Sequence, residues 1–538
     1  MTLRIWPLLA LILAAACGPA PSAPSGPGDG GDQPKSGGTL RVLHREDPSH
    51  LSIYEESTVS IQFPVMHAYN NLVMFDPTKS PESLETIVPE LAQKWTVAPD
   101  GKAITFELNQ GIKWQDGAPF TAKDVKYTFE TVKTGTDAMR PDVKMRASPR
   151  AAWFSNVEGV ETQGDYTALF KLARPQPSLM GMLAASYSPV YPSHVPVSEL
   201  RVKPVGTGPF SIVEWRKGET ISYTKNQSYW RPGRPYLDQL QYVIIVERAT
   251  QLGAIRTKQL QLGFPSEFTK ENAEELKAAV PQLVVEEVVT ASNENIVMNT
   301  KKAPWSDLRV RLAVTEAIDR QAYLSFRQGA YSLGTNLQGN GPWGYPKDEM
   351  TKLPGYGPNI EERRAKAKRL LAEAGFPNGI TTEFLTRDIR SYTDLATFVL
   401  DQLDRVGIKG TLKPLQTPIY TSTVSRGDYD IAVNLTGLGF DDPDVMFYEN
   451  FKCGELRNYS QWCDREVDSL ADQQSSTVDR EKRKQLLNEL DRKITEAAPR
   501  PILGWRKNFH VWWPEVRGYK PMASTQNAVR FDNLWLAQ

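Results

Sequence analysis

The first 36 residues set the compartment of this chain and the limits of its folded body. Arg4 precedes an apolar run, Trp6 to Ala16, which ends in small residues and leads into Cys17 and a Pro/Gly/Ser-rich stretch to Ser36. A membrane-spanning helix needs about 20 apolar residues, and this run is shorter. Ala14 and Ala16 satisfy the A-x-A rule of a cleaved export signal. Residues 1–16 therefore read as a signal peptide. Residues 18–36 hold five prolines and five glycines. Such a segment cannot bury enough apolar surface to offset its ordering entropy. It reads as a flexible linker, and the folded body is expected to start at Gly37.

The string Leu13-Ala14-Ala15-Ala16-Cys17 resembles a bacterial lipobox. The resemblance implies that Cys17 becomes the lipidated first residue and anchors the protein outside the cytoplasm, in the periplasm or at the cell surface. The leucine stands one step early, with Ala14 at its usual position, so a freely secreted chain is the alternative. The two remaining cysteines, Cys453 and Cys463, are expected to pair, because thiols oxidise in an exported chain. A metal site at this pair would need further ligands, and no histidine lies in the segment. Lysines plus arginines equal aspartates plus glutamates, at 63 each, so no basic excess points to nucleic acid.

Within the body, Gly37 to Leu43 alternates as a strand, and Ile104 to Leu108 does the same. Thr121 and Asp124 form a capping-box pattern before the helical spacing Val125, Phe129, Val132. Further strands are expected at 210–215, 221–223 and 242–246. From about residue 290 helices and strands alternate, as in layered α/β folds. One helix, capped by Ser306, carries Val310, Ala313, Val314 and Ala317. Another spans Ala367 to Ala374 and ends at Gly375. A third carries Leu395, Val399 and Leu403 and stops at Gly407.

Several strings resemble the bacterial extracellular solute-binding proteins of family 5, the peptide, nickel and related binders of ABC importers. They run from Pro89-Glu90-Leu91-Ala92, Gly111-Ile112-Lys113-Trp114 and Pro119-Phe120-Thr121-Ala122 to Gly206-Thr207-Gly208-Pro209-Phe210, Ala317-Ile318-Asp319-Arg320 and Asp442-Pro443-Asp444. The resemblance implies an α/β, two-lobed periplasmic-binding-protein fold, type II-like, with an extra subdomain and a ligand cleft between the lobes. Lobe one is expected over 37–289 plus 510–538, with an inserted subdomain at about 63–189, and lobe two over 290–509. Read as chemistry, the same motifs are scaffold. Asp100-Gly101 and Asp116-Gly117 have turn composition, and Gly206-Thr207-Gly208 lacks the remaining residues of a phosphate loop.

No catalytic motif appears, and His44, His50, His67, His194 and His510 are scattered. Asp441, Asp442 and Asp444 form the one dense carboxylate group. Their place after the apolar strand 431–435 favours a turn over paired glycosidase acids. No enzyme activity and no cofactor or metal are expected.

In the peptide-binding relatives an aspartate just before the Asp-Pro motif pairs with the ligand's α-amino group. The resemblance places Gly439 there, with Asp441 as the nearest acid, and it places Thr436 where dipeptide binders carry a tryptophan. Those relatives clamp the peptide carboxylate with an arginine, for which Arg387 and Arg390 stand near the matching Thr386. Tyr54, Trp343 and Phe440 are the expected apolar cleft contacts. The expected function is capture of a small polar solute, foremost a peptide, by a monomer that delivers it to permease and ATPase subunits on separate chains. Two alternatives stay open. One is a surface sensor with the same fold, and the other is a binder of an opine, oligosaccharide or metal chelate.

Overall fold

The first described strand is Thr39–His44, whose alternating apolar residues are buried as their pattern predicts. It pairs in parallel with Gln239–Ile244, which continues antiparallel to Thr220–Lys225 and then Phe210–Arg216. A parallel pair needs a long crossover. Here the crossover holds a second, antiparallel sheet, in the order Ala92–Val97, Ala103–Leu108, Thr167–Leu172, Val157–Thr162. The helix Ala122–Thr134 packs on this small sheet. Thr121 and Asp124 close its capping box, and Gly135 ends it at φ 66°.

This computed structural model describes residues 33–56, 58–339, 341–440, 442–524, 527 and 530–537. The signal peptide, Cys17, nearly all of the linker, and Asp441 lie outside the described residues. Lys35–Gln538 forms one compact unit.

The third sheet has six strands, in the order Tyr331–Ser332, Ile502–Trp512, Val284–Met298, Ile431–Gly437, Ile380–Arg387, Ile408–Leu415. The last three are mutually parallel neighbours joined by the helices Arg390–Asp404 and Thr417–Arg426. Gly407 takes φ 93° to stop the first of these helices, and Gly427 takes φ 74° to stop the second. Val284–Met298 and Ile502–Trp512 form a long antiparallel pair whose register breaks between Val289 and Asn293. Bridges from Leu262 to both Val42 and Trp512, and from Phe268 to Phe509, tie this pair to the first sheet.

Three local expectations change. Asp307, not Ser306, caps the helix Leu308–Ala317, because its carboxylate accepts the Arg309 N–H at 2.8 Å. Asp442-Pro443 starts a helix, Pro443–Asn450, since proline fits a first helical position that needs no N–H. The strand expected at 242–246 covers Gln239–Ile244 instead. Gly206 and Gly208 are structural: a Cβ on either would collide with the Ala68 backbone. Cys453 and Cys463 form a disulfide, with Cα atoms 4.8 Å apart. His44, His67 and His510 are buried, which lowers their pKa values to about 4, 3 and 3, and each hydrogen-bonds inside the core.

Candidate functional site

A cavity of about 70 Å³ lies where the first and third sheets meet. Its wall carries four arginines from four distant segments. Arg45 follows the strand Thr39–His44, and Arg387 ends Ile380–Arg387. Arg457 stands in the loop closed by Cys453–Cys463, and Arg506 stands in Ile502–Trp512. Tyr392, Tyr420, Asn434, Tyr459 and Asn508 add polar surface, and no carboxylate lines the cavity among the described residues. A site enclosing a small-molecule ligand is typically about 300–1,000 Å³. A guest larger than a few atoms therefore requires side chains to withdraw or the flanking elements to part.

Glu46 crosses the cavity's edge and occupies Arg387. The Arg387 Nη2 donates to Glu46 Oε1 at 3.0 Å, Thr417 Oγ1 donates to Oε2 at 2.7 Å, Ser60 Oγ also donates to Oε1, and the Arg45 Nε lies 3.6 Å away. Burial raises the Glu46 carboxyl, but Arg387, Arg45 and the two hydroxyls outweigh it and hold the pKa at about 2. Arg387 also donates to Thr417 and to the Tyr392 hydroxyl at 2.9 Å. On the opposite side Glu449 is fully buried. It accepts the Trp153 indole N–H at 2.6 Å and pairs with Arg150 and Arg457. Behind the wall lies Arg500, held by Asn295, Asn450 and Thr436 rather than by a carboxylate. Burial, with the nearby Arg457 adding to it, lowers Arg500 to about 10.

Of the residues singled out in the sequence, Arg387 reaches the cavity. Gly439 does not line it, and the structure gives the reason this position lacks a side chain. A Cβ there would lie 2.6 Å from Trp153 Cη2 and 3.3 Å from Ala185 Cβ, so the indole fills the space. Phe440 packs against Gly181 and Phe75, and Thr436 accepts from Asn295 and Arg500 in the interior. Tyr54 is 2% exposed; its hydroxyl donates to the Pro189 carbonyl and its ring meets Tyr191 edge-on. Trp343 stacks under Arg480 and Arg483 beside Asp442, away from the four arginines. Arg390 is exposed and pairs with Asp394 one helical turn on. Asp441 lies outside the described residues. Asp442 and Asp444 both pair with Arg483, and burial together with Asp442 raises the Asp444 carboxyl.

Arg45, Arg457 and Arg506 escaped sequence reasoning. A usable signal existed for one of them: Arg506 stands with Lys507, Asn508 and His510 in the strand Ile502–Trp512, which is buried along nearly all its length, and a charged residue in so buried a strand asks for a partner. Among the described residues no group of His, Cys, Asp and Glu side chains could hold a metal ion. No described helix is long and apolar enough to cross a membrane.

The family model for bacterial extracellular solute-binding proteins, family 5 Middle, matches residues 86–458. The oligopeptide-binding protein AppA of Bacillus subtilis is 27% identical, over all of this chain and 98% of its own length. The periplasmic binding protein DppA of Helicobacter pylori, solved with the peptide STSA, superposes with a TM-score of 0.81 at 25% identity, covering 94% of this chain and 99% of its own. AgaA of A. tumefaciens R10, solved with agropinic acid, gives 0.80 at 25% identity over 93% and 99%. The architecture is thus the α/β two-lobed periplasmic-binding-protein fold.

Proposed function

Because the chain belongs to the bacterial extracellular solute-binding proteins of family 5, we propose that it captures a small polar solute outside the cytoplasm and hands it to an ABC importer. Peptides are the leading class, on the likeness to the oligopeptide-binding protein AppA and to the peptide complex of DppA, and the agropinic acid complex of AgaA adds opines as the second. The observation that carries the reading is the arginine-lined cavity between the first and third sheets. Its two sides are contributed by segments on either end of the long pair Val284–Met298 and Ile502–Trp512, which supports a hinge there. In this reading lobe one comprises 37–289 and 510–538 with a subdomain at about 63–189, and lobe two comprises 290–509. Closure follows from the ligand's contacts to both sides, since a ligand shifts the balance only by what it gains in the closed state.

Cys17 carries the lipid anchor, the protein acts as a monomer, and the permease and ATPase subunits are other chains. It performs no covalent chemistry. Native mass spectrometry of the purified chain tests the reading. One unchanged solute per chain, released on denaturation, is expected; conversion of the solute to a new mass overturns it. Intact-mass analysis of the membrane fraction should show lipid on Cys17 that is lost in Cys17→Ala.

A further inference from the structure

We propose that the cavity selects a solute bearing two anionic groups and does not recognise a protonated amine. This deepens the solute-capture reading above and rests on it. The first ground is charge. Arg45, Arg387, Arg457 and Arg506 line the cavity, and the carboxylates just outside it are already shared. Glu46 serves Arg45 and Arg387, Glu267 serves Arg45 and Arg248, and Glu449 serves Arg150 and Arg457. Glu56 is the remaining carboxylate acting on Arg387. Four guanidiniums thus share a wall on which no carboxylate stands among the described residues, and burying such a group of cations is costly unless an anion joins them.

The second ground is unused donors. Arg506 is 7% exposed, and its Nη2 donates to the Ser266 carbonyl at 2.6 Å, with no carboxylate in ion-pair range among the described residues. The Nε atom of Arg457 is buried with no hydrogen-bond partner. These groups suit the planar, two-point bonding of carboxylates. The third ground is the amine side. No carboxylate lines the cavity among the described residues, and Glu449 behind Arg457 is committed to the Trp153 indole and two arginines.

Titration calorimetry on the full chain, with any co-purified solute first removed, would use five probes: glutarate, L-Glu-L-Glu, N-acetyl-L-Glu-L-Glu, L-Ala-L-Ala and L-Lys-L-Lys. The acidic dipeptide and its acetylated form should bind within about threefold of each other, because no carboxylate lines the cavity among the described residues to pair with the amine. Ala-Ala and Lys-Lys should bind at least about tenfold to a hundredfold more weakly. Glutarate matching Glu-Glu would assign the recognition to two carboxylates alone, and glutarate falling below it would add the peptide unit. Arg506→Gln keeps a donor for the Ser266 carbonyl, so its thermal midpoint should be unchanged while acidic probes weaken about tenfold. Preference for Ala-Ala or Lys-Lys, or loss of binding on acetylation, would overturn the inference and leave solute capture standing. Binding of no probe, together with no co-purified solute, would overturn both.

Discussion

Replacing Gly439 with aspartate should damage this protein rather than create a site for a ligand's amine. The new Cβ would start 2.6 Å from Trp153 Cη2. Ordinary carbon contacts begin near 3.5 Å, so the indole or the loop must move by about 1 Å. The indole is fully buried and held by its bond to Glu449, so it has nowhere to go without breaking that bond. Overpacking of this kind costs about 1–3 kcal/mol. The carboxylate adds about 1–3 kcal/mol more, because nearby Arg150 already serves Glu449 and stacks 3.5 Å from the Tyr187 ring centre. Denaturant unfolding should therefore show a loss of about 2–6 kcal/mol for Gly439→Asp. Trp153→Ala alone should cost a similar ~3–5 kcal/mol by leaving a cavity. In the double variant the aspartate enters the vacated space, so the combined loss should fall short of the sum by about 2 kcal/mol or more. Strict additivity, or a Gly439→Asp protein within about 0.5 kcal/mol of the parent, would refute the claim that Trp153 occupies the place of the missing side chain.

Acid titration checks the Glu46 bridge. Its pKa in the fold, about 2, lies below the ordinary 4.5, so its stabilisation is complete above about pH 4.5 and is lost as pH falls toward 2. Glu46→Gln should lower stability at pH 7 by about 3 kcal/mol and flatten that acid limb; an unchanged limb would exclude the bridge. Asp491 behaves in the opposite sense. Burial raises it to about 6, above its ordinary 3.8 and against the hydrogen bonds from Thr335 and Asn336, so its contribution is full below about pH 3.8 and lost as pH rises through 6. Asp491→Asn should hence gain about 2–3 kcal/mol at pH 8 relative to pH 4 when compared with the parent, read from denaturant midpoints at the two pH values. Reducing Cys453–Cys463, or replacing both by serine, should cost about 2–3 kcal/mol in unfolding. Because the loop carries Arg457, affinity for acidic probes should fall as well, and calorimetry before and after reduction would detect it.

Local order was legible wherever short-range chemistry decides it. The capping box at Thr121 and Asp124, the glycine stops at 375 and 407, and the alternating strands all form close to where their residues predict. The ordered family strings identify the fold, and export chemistry anticipated the single disulfide. The site was far less legible. Arg387, singled out for its place beside Thr386, does line the cavity. Tyr54, Phe440 and Trp343 were chosen as available aromatic rings, yet an aromatic's burial depends on what packs against it, and these rings meet Tyr191, Gly181 and Arg483 instead of the cavity.

What the sequence determined by itself, then, was the repertoire of elements and their family order, because caps, turns and periodicity act over a few residues. Tertiary structure alone decided which charges share a wall. Arg45, Arg387, Arg457 and Arg506 come from four separate segments, and nothing in any one segment records the positions of the other three. The same holds for Gly439. Its lack of a side chain is visible in the sequence as an absence, but only the folded chain shows Trp153 filling the space, because steric exclusion acts between neighbours in space whatever their separation along the chain.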